Sequence, residues 1–409
     1  MKKESIYLKL ISSLISQIII ITFWKYIYCF DISSLKVTYF NKNTYLYYVN
    51  SINTESGDLY LEFWGETSTI RYFIGLNLTS GEEIYFGNKK IKEIISYSNS
   101  IYHESIIINI NNENNIFSIN YKNFDFINMK TGQFTYRTTN DIFFEQYEEP
   151  CYRNSIINLG NNNYLLSIIL YKYSYLNYHH NILIIKFNFN STNINGYNQI
   201  NYYEDTIDYI NSTTCFQTES KYIQCSLNKL FAFYDFLTIG LFDSDLKYID
   251  YINIAYIEDN IFTKIFHIKK EIGAYIYFDE ETNDPYIQIK ELNGDKDDLI
   301  DLFENIDYIN LNYNGRYNFN IGIFYSDGIK INDNKFIVIL TTNNLLNLLI
   351  CVFDLYNNDN SLRIKYYYLE LQSKNIKISV NIRAFKYGPF FGITFYNSNL
   401  IIILIIIIM

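Results

Sequence analysis

Cys215 and Cys225 are the two residues of this chain best spaced to do chemistry together. They lie in Thr214-Cys215-Phe216-Gln217 and Ile223-Gln224-Cys225-Ser226, two strand-like pieces around the polar turn Thr218-Glu219-Ser220-Lys221. A hairpin folded over that turn sets the cysteines opposite one another. At a non-hydrogen-bonded position the Cα atoms of such a pair approach to about 4.5 Å, within disulfide reach. The loop closed is short, so the gain is modest, about 2–3 kcal/mol. Free thiols are the second reading. Zinc is the third, because no second CxxC or HxxxH accompanies the pair. Of the five cysteines, Cys29 falls in a leader-like segment, and its loss leaves an even four. Cys151 and Cys351 then pair by elimination.

The remaining reactive residues form no constellation. The histidines are His103, His179, His180 and His267. His179-His180 reads as part of a loop, and on a strand adjacent residues would face opposite ways. No metal ligand set is assigned. No Ser nucleophile elbow, phosphate-binding loop, dinucleotide fingerprint or HExxH occurs. Ser326-Asp327-Gly328 resembles part of a sialidase Asp-box, without its aromatic end and present once. Six arginines make a carboxylate-binding arginine triad a poor expectation. Asp243, Asp245 and Asp354 fall in strand-end turns, where Asp satisfies backbone amides. No catalytic residue and no cofactor is assigned.

What must position these residues is a degenerate repeat. Six times a short apolar strand runs into a turn of Asn, Asp, Ser, Thr or Gly. With Leu76, Ile127, Phe187, Leu241, Ile289 and Val352 as anchors, the gaps are 51, 60, 54, 48 and 63 residues, about 55 on average. A period near 50 holding several strands is the mark of a β-propeller. The expectation is an all-β propeller of six or seven blades over residues 30–409.

Hairpin patterns support it. Leu59 to Trp64 meets Ile70 to Ile74, and Ser105 to Ile110 meets Ile116 to Tyr121 across Asn111 to Asn115. Ile272 to Phe278 meets Pro285 to Ile289, and Lys335 to Leu340 meets Leu348 to Phe353. Short strands between Gly, Asn and Asp turns argue all-β. Asp297 to Glu304 could form one helical turn or two. One period after Val352 predicts a strand near residue 407, inside the apolar run Leu400 to Met409. That run reads as a closing strand or as the start of a membrane segment. Ring closure is expected to pair the strand around Val37-Thr38-Tyr39-Phe40 with the last blade.

Composition bounds the function classes. Hydrophobic residues make up 49% of 409, enough for a large core, and 43 Tyr and 31 Phe suit a pleated, half-buried surface. The net charge of −10 argues against nucleic acid and anionic membrane surfaces as partners, since both need a basic patch.

Met1-Lys2-Lys3 and the mostly apolar stretch Leu10 to Trp24 read as a secretory signal over residues 1–29, with cleavage before Phe30. An uncleaved anchor and a buried helix are the competing readings. Sequons stand at Asn77, Asn190 and Asn211.

With its hairpin cysteines Cys215 and Cys225, the chain resembles lineage-specific secreted or surface β-propeller-like proteins of AT-rich unicellular eukaryotes, over roughly residues 30–400. The resemblance implies display outside the cell, with possible membrane attachment, and carries over no site. The function expected is a secreted or surface-displayed, non-catalytic interaction or adhesion module for a protein or glycan ligand. The alternative is a carbohydrate-active propeller enzyme, which needs two channel carboxylates about 5–9.5 Å apart.

Overall fold

Alternating apolar and polar residues between turn-forming Asn, Asp and Gly favour paired strands over helices. In the computed structural model every described element is a strand, and every strand pairing is antiparallel. The structure describes the strands named below together with residues 54, 78, 80, 82, 85–89, 112, 129–133, 161, 214, 218–222, 243–247, 270–271, 284, 311, 333–334 and 342.

Six sheets are built from consecutive strands. Blade 1 comprises Leu46–Asn53, Asp58–Gly65 and Ile70–Asn77, with Glu83–Ile84 and Ile91–Ile95 both on its outer edge. Blade 2 comprises Ser105–Ile110, Glu113–Asn120, Asn123–Asn128 and Phe134–Thr138. Blade 3 comprises Glu149–Gly160, Asn163–Tyr173, Tyr178–Asn190 and Asn193–Glu204. Blade 4 comprises Cys215–Gln217, Ile223–Phe231, Tyr234–Phe242 and Tyr248–Tyr256. Blade 5 comprises Asn260–Lys269, Ile272–Asp279 and Pro285–Leu292, edged by Leu299–Asp301 and Ile309–Asn310. Blade 6 comprises Ser326–Asn332, Lys335–Thr341, Asn347–Tyr356 and Ser361–Glu370.

The seventh sheet is composite. Ile382–Tyr387, Phe390–Asn397 and Leu400–Ile408 are joined by Phe30–Val37 from the other end of the chain. The first strand of each blade touches the first strand of the next, and that of blade 7 touches that of blade 1. This closed ring of inner strands is a β-propeller. The six repeat anchors all lie on third strands, and residue 407 lies on the third strand of blade 7.

The core lies between blades, because each blade's two faces are buried only by its neighbours. Phe117, Phe124 and Phe126 of blade 2 pack with Tyr164 and Phe187 of blade 3. Ile276 and Phe278 of blade 5 pack with Phe336, Val338 and Phe353 of blade 6. Full burial of each such side chain is worth about 1.5–3 kcal/mol.

Several expectations need correction. The closing strand is Phe30–Val37, upstream of the segment expected; Thr38 to Phe40 lie outside the described residues. It pairs from Phe30 opposite Ile408 to Val37 opposite Ile401, so it lies along nearly the whole of Leu400–Ile408. The Leu400 run is therefore the third strand of blade 7, paired on both edges. Residues 299–301 form an edge strand opposite Leu292 to Lys290, not a helical turn. The turn after Ser105–Ile110 is tighter than read, since Asn114 and Asn115 pair with Asn109 and Ile108. Ile18–Ile19, within the predicted signal, pairs with Leu35 and Ser34 on the outer edge of Phe30–Val37.

Candidate functional site

Among the described residues the densest buried charge lies between blades 1 and 2. The register sets Glu62 opposite Phe73 and Trp64 opposite Arg71, so Glu62 and Arg71 are diagonal neighbours on one face. Ser105 and Asp125 come from the first and third strands of blade 2. Arg71 Nε donates to Glu62 Oε1 at 2.9 Å, and Nη2 donates to the same oxygen. Nη1 donates to Asp125 Oδ2 at 3.1 Å and Nη2 to Ser105 Oγ at 3.2 Å. Ser105 Oγ in turn donates to Glu62 Oε2 at 2.5 Å. Arg71 and Glu62 are 0% exposed and Asp125 1%, so water screens none of these charges. The planar guanidinium fork suits the task, because it can serve two carboxylates in different directions at once. The cluster is sealed from solute and ties blade 1 to blade 2.

A second buried carboxylate links three blades. Asp327 is the second residue of the inner strand Ser326–Asn332 and is 3% exposed. Its Oδ1 accepts from the Gly328 amide at 2.9 Å and pairs with Lys264 Nζ of blade 5 at 3.1 Å. Its Oδ2 accepts from the Ala384 amide of blade 7 at 2.9 Å. The Ser326-Asp327-Gly328 motif is thus spent on holding inner strands together.

The hairpin cysteines meet as the spacing predicts. Cys215 pairs with Cys225 in register, their Cα atoms are 4.2 Å apart, and a disulfide joins them. Hydrogen bonds flank the pair, from the Ser226 amide to the Thr214 carbonyl and from the Thr218 amide to the Tyr222 carbonyl. The turn is also locked to blade 5. The Glu219 amide donates to the Lys270 carbonyl, the Lys270 amide to Glu219 Oε1, and the Ser220 amide to Glu271 Oε1.

The Cys151–Cys351 pairing is not made. Cys351 is a free thiol, fully buried in the third strand of blade 6, while Cys151 lies on the first strand of blade 3. The ring keeps these blades apart, and burial pushes the Cys351 thiol far up from its ordinary value. Pairing by elimination fails because a propeller joins only neighbouring blades.

The histidines also resolve. His179 and His180 lie on the strand Tyr178–Asn190, opposite Lys172 and Tyr171, not in a loop. A strand long enough to reach Tyr173 overrides the polar local sequence. His267 Nε2 donates to the Lys270 carbonyl at 2.8 Å, and its ring stacks on Phe216 at 6.1 Å. His103 lies outside the described residues. Among the described residues no group of three or more His, Cys, Asp or Glu is placed to hold a metal ion.

Asn77 and Asn190 each end the third strand of a blade, and Asn211 lies outside the described residues. Asn77 Oδ1 accepts from the Ser80 amide at 2.8 Å and Nδ2 donates to Asp58 Oδ1 at 2.9 Å. Asp243 occupies the equivalent turn of blade 4 and accepts from the Asp245 and Lys247 amides. Asp354 pairs with Lys335 Nζ at 3.3 Å. Among the described residues no helix is long and apolar enough to cross a membrane.

Sequence reasoning missed the Arg71 cluster. Its one signal is a charge at an apolar position of an alternating strand, seen in Leu61-Glu62-Phe63 and Phe124-Asp125-Phe126.

No family model matches the chain, and no curated protein matches it. Solved structures do. An oligogalacturonate lyase in complex with manganese is 9% identical, with 92% of this chain and 93% of that chain covered and a TM-score of 0.49. The Dos1 propeller is 9% identical, with 90% and 95% covered and a TM-score of 0.48. Hsv2 of Kluyveromyces lactis is 8% identical, with 76% and 83% covered and a TM-score of 0.43. These likenesses concern the fold alone.

Proposed function

We propose that this chain is a secreted or surface-displayed, non-catalytic interaction module that binds a protein or glycan ligand. The observation that carries the reading is the Cys215–Cys225 disulfide, since such bonds persist in oxidising compartments and are rare in reducing ones. The signal-like residues 1–29 agree with it, and cleavage before Phe30 would leave the closing strand Phe30–Val37 whole.

Antiparallel blades send their first-to-second and third-to-fourth turns to one rim. That rim is cross-linked between blades through Lys186 Nζ to the Ser244 carbonyl, Glu219 with Lys270, and Lys269 Nζ to Asn334 Oδ1. Recognition is assigned to the other rim, where the second strand of each blade ends and the third begins. Loops held on a rigid scaffold are the usual carriers of recognition. Glycans on Asn77, Asn190 or Asn211 and a membrane attachment belong to the same proposal.

The test is localisation of a tagged full chain, with glycosidase treatment and mass spectrometry of unreduced peptides. Protein outside the cell with Cys215 and Cys225 joined is expected. Purely cytosolic protein with both thiols free would overturn the reading.

A further inference from the structure

The seam between blades 4 and 5 contains a donor and an acceptor of opposite kind, both buried. Phe216, Gln224 and Leu241 stand in register across blade 4 and face blade 5. On blade 5, Ile265, Tyr275 and Gln288 stand in register, with Tyr277 opposite Tyr286 in the neighbouring row. The Tyr275 hydroxyl donates to Gln224 Oε1 at 2.5 Å across the seam. Gln288 Nε2 reaches the Tyr277 hydroxyl at 3.5 Å.

These contacts leave Gln224 Nε2 and Gln288 Oε1 without a hydrogen-bond partner among the described residues. Gln224 is 0% exposed and Gln288 4%, so bulk solvent reaches neither. An amide group left unmade in such a place costs about 1–3 kcal/mol. Two of them facing one seam would be an unusual burden for a native core.

We infer that a buried water molecule is bound in this seam by Gln224, Gln288 and the Tyr275 hydroxyl oxygen. The chemistry selects water over other guests. A cation is disfavoured by the Gln224 N–H and an anion by the Gln288 carbonyl oxygen. Water both donates and accepts, and a buried water needs two to four polar partners. It also serves either orientation of the Gln224 amide: rotating that group exchanges the free donor for a free acceptor, which water satisfies equally. The seam is therefore polar and hydrated at its centre, with Phe216, Ile239 and Ile265 around it.

Two measurements on the full chain test this. A crystal structure at about 1.8 Å resolution is expected to show a solvent oxygen within hydrogen-bond distance of both glutamine side chains. A direct Gln224–Gln288 amide bond, or both groups turned onto backbone, would overturn it. The second measurement compares melting temperatures of Gln224→Leu, Gln288→Leu and the double variant. Each single variant strands the water's remaining contacts, whereas the double variant releases it. The double variant should therefore lose less than the two single losses together, and simple additivity would count against a shared water. If one single variant does not fold, the crystal structure still decides.

Discussion

At the seam of blades 1 and 2, a guanidinium and two carboxylates lie out of water; at the seam of blades 5 and 6, beyond the Asp327–Lys264 pair of its inner strands, aliphatic and aromatic side chains fill the same kind of gap. There Phe336 stacks on Phe353 at 4.5 Å, and Phe266 meets Phe336 edge-on at 5.7 Å. Both seams are made by alternating strands of one propeller. The difference teaches that burial between blades does not dictate one chemistry. Apolar packing tolerates reshaping, whereas an ion cluster demands all of its members.

The largest expected effect is at Arg71. Arg71→Met keeps bulk but leaves Glu62 and Asp125 buried and unpaired, and should cost about 3–5 kcal/mol in urea denaturation. Replacing Glu62, Arg71 and Asp125 together by Leu, Met and Leu should restore most of that loss. A loss below about 1 kcal/mol for Arg71→Met alone would erase the contrast between the seams.

The apolar seam gives the counterpart. Phe353→Ala removes a stacked ring and should cost about 3–4 kcal/mol. Phe353→Leu should cost under about 2 kcal/mol, since seams of this kind repack. Equal sensitivity to both replacements would show that this seam is as exacting as the charged one.

Blade 4 sharpens the comparison on a smaller scale. Its inner strand, Cys215–Gln217, has three residues, against seven in Ser326–Asn332 of blade 6. The disulfide supplies what so short a strand cannot. Cys215→Ala with Cys225→Ala should cost about 2–3 kcal/mol, and hydrogen exchange should rise first in blade 4.

The smallest effect is pH-dependent. Burial raises the ionisation of Cys351 and Tyr275 above their ordinary values. In the unfolded chain the thiol loses its proton near pH 8.5 and the phenol near pH 10, while the folded protein keeps both. The associated stability is complete below those values and is lost as pH rises. It should fall from about pH 8.5 through Cys351 and from about pH 10 through Tyr275, each at about 1.4 kcal/mol per pH unit. Denaturation at stepped alkaline pH checks this, and Cys351→Ala should remove the first limb.

Much of the scaffold was legible because strand pairing is local. Leu59 to Trp64 against Ile70 to Ile74, and Cys215 against Cys225, depend on residues within one hairpin. Their turn sequences declare themselves through Gly65, Ser68 and Ser220. The closing strand was harder, because Phe30–Val37 carries Asp31, Ser33 and Ser34 and follows a more apolar segment. His179 and His180 were misplaced because their strand is specified by the partner Asn163–Tyr173 and not by their own types. The Arg71 cluster was illegible for a different reason. Glu62, Arg71, Ser105 and Asp125 meet only when two blades dock, and no spacing along the chain records that event.

The composite blade 7 has a consequence for the order of folding. Phe30 pairs with Ile408, so nearly the whole chain separates the two partners. Contacts of such long separation carry a heavy loop-closure cost until the intervening blades have compacted. Blades 1 to 6 can form as the chain emerges from the ribosome, but Phe30–Val37 must wait for Leu400–Ile408. During synthesis the ring is an open arc with two unsealed blade faces, the interval in which association with other chains is easiest.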